Sequence, residues 1–172
     1  MDKKILKFFK GSEGFWDECL NVSVEGDIFG KDTSFFQEYI TDPDSIRLKL
    51  LNDHFEESFD DCFFRLYKDR SSVVTAFKGG KYYEVGYEVC YEESEWRLAR
   101  GVYNIANGNQ LMIEATMGDY EVSSSVFKMN EEFYTTNVTV YVEGELKIVV
   151  SGLEAKFNDC LLYTSDAADD CR

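Results

Sequence analysis

The sequence predicts an all-β fold: a single antiparallel up-and-down β-barrel with a short N-terminal helix and one helical insertion. Three observations carry that expectation. From residue 61 onward, eight successive short runs read as strands. Turn chemistry separates the runs, as in Lys78-Gly79-Gly80-Lys81, Asn107-Gly108-Asn109 and Glu143-Gly144, where Gly and Asn accept positive φ. The runs also follow one another in strict series, at roughly 8–12 residues, which describes a meander. Closing it into a barrel removes the exposed edges that a flat sheet would leave.

Element by element, residues 3–10 place Ile5, Leu6, Phe8 and Phe9 on one side at helical spacing, a short helix ended by Gly11. From Phe15 the period becomes two, with Leu20, Val22 and Val24 alternating against Asn21, Ser23 and Glu25. Residues 34–41 form a second strand. Asp42 as N-cap and Pro43 at the first helical position start a helix over 43–54. Strands follow over 61–68, 72–78, 81–91, 97–105, 110–116, 121–129, 132–142 and 145–151. No internal repeat or linker divides this single domain, which spans 1–159. The tail 160–172, CLLYTSDAADDCR, is small, acidic and aperiodic after Tyr163. It resembles translated sequencing-adapter read-through and is set apart as non-native.

Composition bounds the function. The 172 residues carry 18 Lys plus Arg against 33 Asp plus Glu, a net charge of −15. A phosphate-binding surface needs cations, so nucleic acid and anionic membrane are not expected partners. No apolar run approaches the roughly 20 residues of a membrane span. The N-terminus does not read as a signal peptide, which makes the expected compartment the cytoplasm or a plastid stroma. Five widely spaced cysteines without a C-x-x-C pair read as free thiols in a reducing compartment. One histidine, His54, leaves no partner imidazole for a metal site or a Ser-His-Asp set, and no Gly-rich phosphate loop is present.

Two features point to a site. Tyr82, Tyr83, Tyr87 and Tyr91 sit on alternating faces of one strand, with Trp96 just after it. A barrel needs one apolar face per strand, so aromatics on both imply a ligand cavity or a contact surface. The second feature is Phe8-Phe9-Lys10-Gly11-Ser12-Glu13-Gly14-Phe15-Trp16, a helix and a glycine followed by Trp at the start of the first strand. A G-x-W in this place is similar to the opening of lipocalin-like (calycin) barrels, in which the indole plugs the closed end.

The fuller spacing F-F-x-x-S-x-G-x-W resembles the opening of the CpcS/CpeS-type phycobiliprotein bilin lyases, calycin-fold proteins that attach phycobilins to cysteines of phycobiliproteins. Asp42-Pro43 leading to Ile46 and Leu48 resembles the family's D-P-x-x-I-x-L insertion, and Gly101-Val102-Tyr103 its G-x-Y strand. The likeness covers roughly residues 4–142. It implies a divergent phycobilin lyase or bilin chaperone that needs no cofactor, takes an open-chain tetrapyrrole as bound substrate and delivers it to a phycobiliprotein subunit.

The sequence departs from the family where the family's arginines stand. Leu20 or Asn21 occupies the place of the Arg that follows the motif Trp, and Ser123–Phe127 and Glu132–Thr136 replace the segments E-R-x-W-F and N-x-R-x-R-x-S. Arginines bind propionates and an acid assists chromophore protonation during thiol addition. The residues left for these roles are Glu121 as acid, Tyr87, Trp96, Phe127 and Tyr134 as wall, and Arg97 or Arg100, with Arg65, as cations; Trp16 is the structural plug. Period two separates Arg97 from Arg100, so at most one of them points inward. Two further readings stay open: a non-catalytic barrel for a small apolar ligand, and an acidic interaction module with a filled interior.

Overall fold

The computed structural model describes residues 1–88 and 97–157; Trp96 and the tail from 160 lie outside them. The strands are β1 (Gly14–Val24), β2 (Asp27–Ile40), β3 (Cys62–Tyr67), β4 (Ser71–Lys78), β5 (Lys81–Glu88), β6 (Arg97–Ala106), β7 (Gln110–Met117), β8 (Tyr120–Asn130), β9 (Phe133–Val142) and β10 (Glu145–Lys156). Each is antiparallel to its neighbours in sequence. Pairing of β1 with β10, from Trp16↔Lys156 to Val24↔Ile148, closes the barrel. The expected all-β up-and-down barrel is the observed fold. No helix among the described residues is long and apolar enough to cross a membrane.

The hairpins close as their residues require. Glu143 and Gly144 (φ 52° and 80°) hold the two positive φ values of a tight two-residue turn, and Asn107 and Gly108 (φ 54° and 74°) hold the same pair in a three-residue loop between Ala106 and Gln110. Glu25 and Gly26 (φ 51° and 95°) make another two-residue turn, which extends the second strand back to Asp27 rather than residue 34. The early half of β2 hides from a periodicity argument because Asp27–Lys31 are all exposed.

Helix α1 (Lys3–Phe8) is capped by Asp2, whose side chain accepts from the Lys4 amide at 2.9 Å. It lies across one end of the barrel and buries Ile5 and Phe8 in the interior cluster with Trp16, Phe35, Phe77, Leu111 and Tyr134. Lysines from the wall bond to carbonyls at the helix end and in the turn after it: Lys128 Nζ donates to Phe8 O at 2.8 Å and to Lys10 O at 3.2 Å, and Lys156 Nζ donates to Gly11 O.

Helix α2 (Ile46–Phe55) starts later than expected. Ser45 is the N-cap, its Oγ accepting from the Arg47 amide. Asp42 instead closes a turn, accepting from Asp44 N on its side chain and from Ser45 N on its carbonyl, so Pro43 sits in that turn. The helix packs outside the barrel, placing Leu48, Leu51 and Phe55 against Phe64, Val74, Tyr83 and Val85. This explains tyrosines on both faces of β5: Tyr82 points inward, while Tyr83 lies under the helix and its loop, donating to Glu57 at 3.1 Å.

Candidate functional site

The barrel is plugged at one end and hollow above the plug, with a cavity of about 330 Å³. This is the small end of the range of roughly 300–1,000 Å³ for ligand pockets. Period two decides what lines it. Trp16 is inward and buried, so Glu18 and Leu20 are inward too, two and four residues along β1. The same parity turns Phe63, Arg65 and Tyr67 of β3, Val73, Thr75 and Phe77 of β4, and Tyr82 and Glu84 of β5 toward the lumen.

Three layers result. The floor is aromatic, with Trp16, Phe9, Phe63, Phe77 and Tyr134. Trp16 lies stacked beside Phe35 and edge-on to Tyr134, and its Nε1 donates to the Ser12 carbonyl at 2.9 Å. The Tyr134 hydroxyl donates to the Phe8 carbonyl of α1, and burial pushes its pKa up. The middle layer is a polar belt of Glu18, Glu154, Gln37, Arg65 and Glu84. Toward the mouth, Leu20, Val73, Val138 and Val150 form an aliphatic ring.

The belt is closely bonded. Arg65 lies with its guanidinium 3.9 Å from the Phe35 ring centre. It donates to Glu154 at 3.1 Å, to Gln37 Oε1 at 3.1 and 2.8 Å, and to the Tyr67 hydroxyl at 3.3 Å. Gln37 in turn donates to Ser12 Oγ at 2.8 Å. Glu18 is the direct cross-strand partner of Glu154 and shares a hydrogen bond with it. Burial, then that hydrogen bond and the negative charge of Glu154, push the Glu18 carboxyl up to about 8. Glu84, which accepts from the Tyr82 hydroxyl at 2.7 Å, is also raised by burial. Among the described residues lining the cavity, three carboxyls face one guanidinium.

Two cations stand at the lip. Lys31 pairs across β1–β2 with Leu20, and so shares its inward face; its charge acts on Glu18 and on Asp69. Arg97 pairs with Gly86, on the face of Glu84, and acts on Glu84 and the same Asp69. Both are exposed.

No family model matches the chain, and no curated protein matches its sequence. In three dimensions it is similar to the S-type phycobiliprotein lyase CpeS from Guillardia theta, with a TM-score of 0.60 over 90% of this chain and 92% of that one, at 7% identity. The chain has the fold of that lyase.

Against this frame the residues singled out from sequence divide. Trp16 and Tyr134 are in the cavity floor, and Arg97 is at the lip. Glu121 and Phe127 stand on the outer face of β8, because Ser124 and Val126 hold the inward positions. Arg100 is also outside, its guanidinium 5.0 Å from the Phe55 ring centre of α2. Tyr87 packs against the outer cluster under the same helix. Of the three arginines, Arg65 alone reaches the belt. Sequence reasoning missed Glu18, Gln37, Glu84 and Glu154. Glu18 was legible, since period two from Trp16 passes through it to Leu20. Glu154 was not, since β10 runs five residues past its expected end at 151.

Proposed function

We propose that this protein is a divergent phycobilin carrier of the lyase type, which holds an open-chain tetrapyrrole in the barrel and delivers it to a cysteine of a phycobiliprotein. The observation that carries the reading is a hollow, one-ended cavity with an aromatic floor in the fold of a phycobiliprotein lyase. A conjugated apolar chain suits that interior, and Lys31 and Arg97 at the lip suit two propionates that reach solvent. The cavity is too small to enclose such a ligand entirely, so its propionate side projects from the mouth.

The acid in this reading is Glu18 rather than Glu121. A carboxyl that keeps its proton to about pH 8 is a general acid at neutral pH. In thioether formation the acceptor thiol sulfur bonds to a side-chain alkene carbon of the bilin. The C=C bond opens, and its other carbon takes up the proton that the thiol gives up, exchanged through the acid. Glu18 lies inside the cavity, where a bound chromophore would be.

A second reading, a barrel for a smaller apolar ligand, is favoured by the volume alone. The filled interior expected of an interaction module without a ligand is not found. The deciding experiment is co-expression with phycocyanobilin or phycoerythrobilin, followed by visible absorbance of the purified protein. The carrier reading expects a red-shifted, sharpened chromophore band that a phycobiliprotein apo-subunit removes. An unshifted spectrum at tens of micromolar bilin, with uptake of an uncharged apolar dye, leaves the small-ligand reading instead.

A further inference from the structure

The polar belt is built against anions. Arg65 is its one cation among the described residues, and its guanidinium is already committed to Glu154, Gln37 and Tyr67 with one face on Phe35. A ligand carboxylate entering the belt must displace one of these partners and then face Glu18, Glu84 and Glu154. A ligand N–H or protonated nitrogen meets the opposite situation. Glu18 and Glu154 are both nearly buried, 6% and 7% exposed, are bridged to each other, and line the cavity from adjacent strands. The pair shares one proton in its resting state, and a ligand N–H or protonated nitrogen takes that proton's place between the two buried carboxyl groups.

We infer that the inner end of the cavity is a site for a nitrogen base: Glu18 and Glu154 hold an N–H or protonated nitrogen of an amphipathic ligand, and ligand carboxylates stay at the lip. The inference takes from the proposed function only that the cavity holds a ligand. For a tetrapyrrole it fixes the orientation, with ring nitrogens toward β1 and β10 and propionates toward Lys31 and Arg97. For any smaller ligand it fixes the charge.

The test is a pair of probes with one ring system and opposite charge, 1-naphthylmethylamine and 1-naphthoate, titrated calorimetrically into the wild-type protein. The amine binds at least about tenfold tighter, because a charge near the belt interacts in a medium of low effective dielectric. Glu18→Gln/Glu154→Gln, with Arg65 now uncompensated, reverses the preference toward the naphthoate. Equal or tighter naphthoate binding by wild type overturns the inference without any variant, should the double Gln variant not fold. A bilin arm separates the two claims. Phycocyanobilin should bind more tightly than its dimethyl ester in wild type, and Lys31→Gln/Arg97→Gln should abolish that difference. A preference for the free acid that survives in Lys31→Gln/Arg97→Gln overturns the inference, because the carboxylates are then recognised inside. Amine preference with no bilin binding at all sustains the inference and removes the carrier function.

Discussion

The Trp16 indole and the Ser12 carbonyl, four residues apart, are joined by a buried hydrogen bond of 2.9 Å. The same serine accepts from Gln37 at its hydroxyl, and Gln37 accepts from Arg65, so one hydrogen-bonded chain runs from the plug into the belt. The floor of the cavity and its charged wall are therefore set by the same few residues. Replacing Trp16 by Ala deletes a side chain that is 1% exposed and opens a void beneath the belt, at a cost of about 3–5 kcal/mol. Trp16→Phe keeps an aromatic floor but leaves the Ser12 carbonyl without its donor and opens a smaller void, at about 1–3 kcal/mol. Urea denaturation of the two variants checks the ranking, and an unchanged midpoint for Trp16→Ala counts against the plug.

Arg65 is expected to be more sensitive than a surface arginine. Arg65→Met leaves Glu154 in the wall with no cation and Gln37 Oε1 without its donors, a loss of about 3–5 kcal/mol. Arg65→Met/Glu154→Gln removes both charges and recovers part of that loss. Denaturation of the two singles and the double, read as a double-mutant cycle, measures the coupling. Strict additivity would mean that the pair is not an interacting unit.

Two glycines with the same parity should behave differently. A Cβ on Gly101 would run into the Glu114 carbonyl oxygen and stand 2.6 Å from Ala115 Cα, so β6 and β7 approach too closely there for any side chain. Gly101→Ala should cost about 3 kcal/mol or more. A Cβ on Gly86 meets nothing nearer than the Arg97 side chain at 3.7 Å, an ordinary contact. Gly86→Ala should leave the melting temperature within a degree or two. Equal melting temperatures for the two variants would refute the close approach.

How much of this was legible in the chain follows from what each signal measures. Turn residues report local geometry and mark every strand from β3 onward, although β3 to β5 are dry on both faces where α2 covers them and only the later strands have a wet face against a dry one. The exposed start of β2 lacks that contrast. Pro43 suggested a helix start, but the Ser45 hydroxyl, two residues on, competes for the cap and takes it. The site was harder, because it depends on barrel closure. Glu18 meets Glu154 only through the pairing of first and last strands, 136 positions apart in sequence, which no local pattern reports. Glu121 was placed by likeness to a family motif, and one step of parity puts it outside.

The Glu18 carboxyl also sets a pH dependence. Glu154 of β10, Arg65 of β3 and Lys31 of β2 face it, and burial with Glu154 outweighs the two cations, raising it from 4.5 to about 8. In the unfolded chain this carboxyl gives up its proton near its ordinary value, while the folded protein retains it. Below about pH 4.5 both states are protonated and the stabilising contribution is complete. As pH rises to about 8 the unfolded state gains relative to the folded one, and stability falls; above that both states are ionised and the contribution is gone. Glu84, raised by burial, adds in the same direction. Asp69 and Glu57, lowered by their hydrogen bonds to Ser71 and Lys78, act oppositely, but below their ordinary carboxylate values, outside this window. Melting temperature should therefore drop between about pH 5 and pH 8, and Glu18→Gln, which cannot ionise, should flatten most of the drop. A wild-type melting temperature that rises over the same interval would mean that Glu18 is ionised in the folded barrel. The acid assigned to the cavity would then be absent at neutral pH.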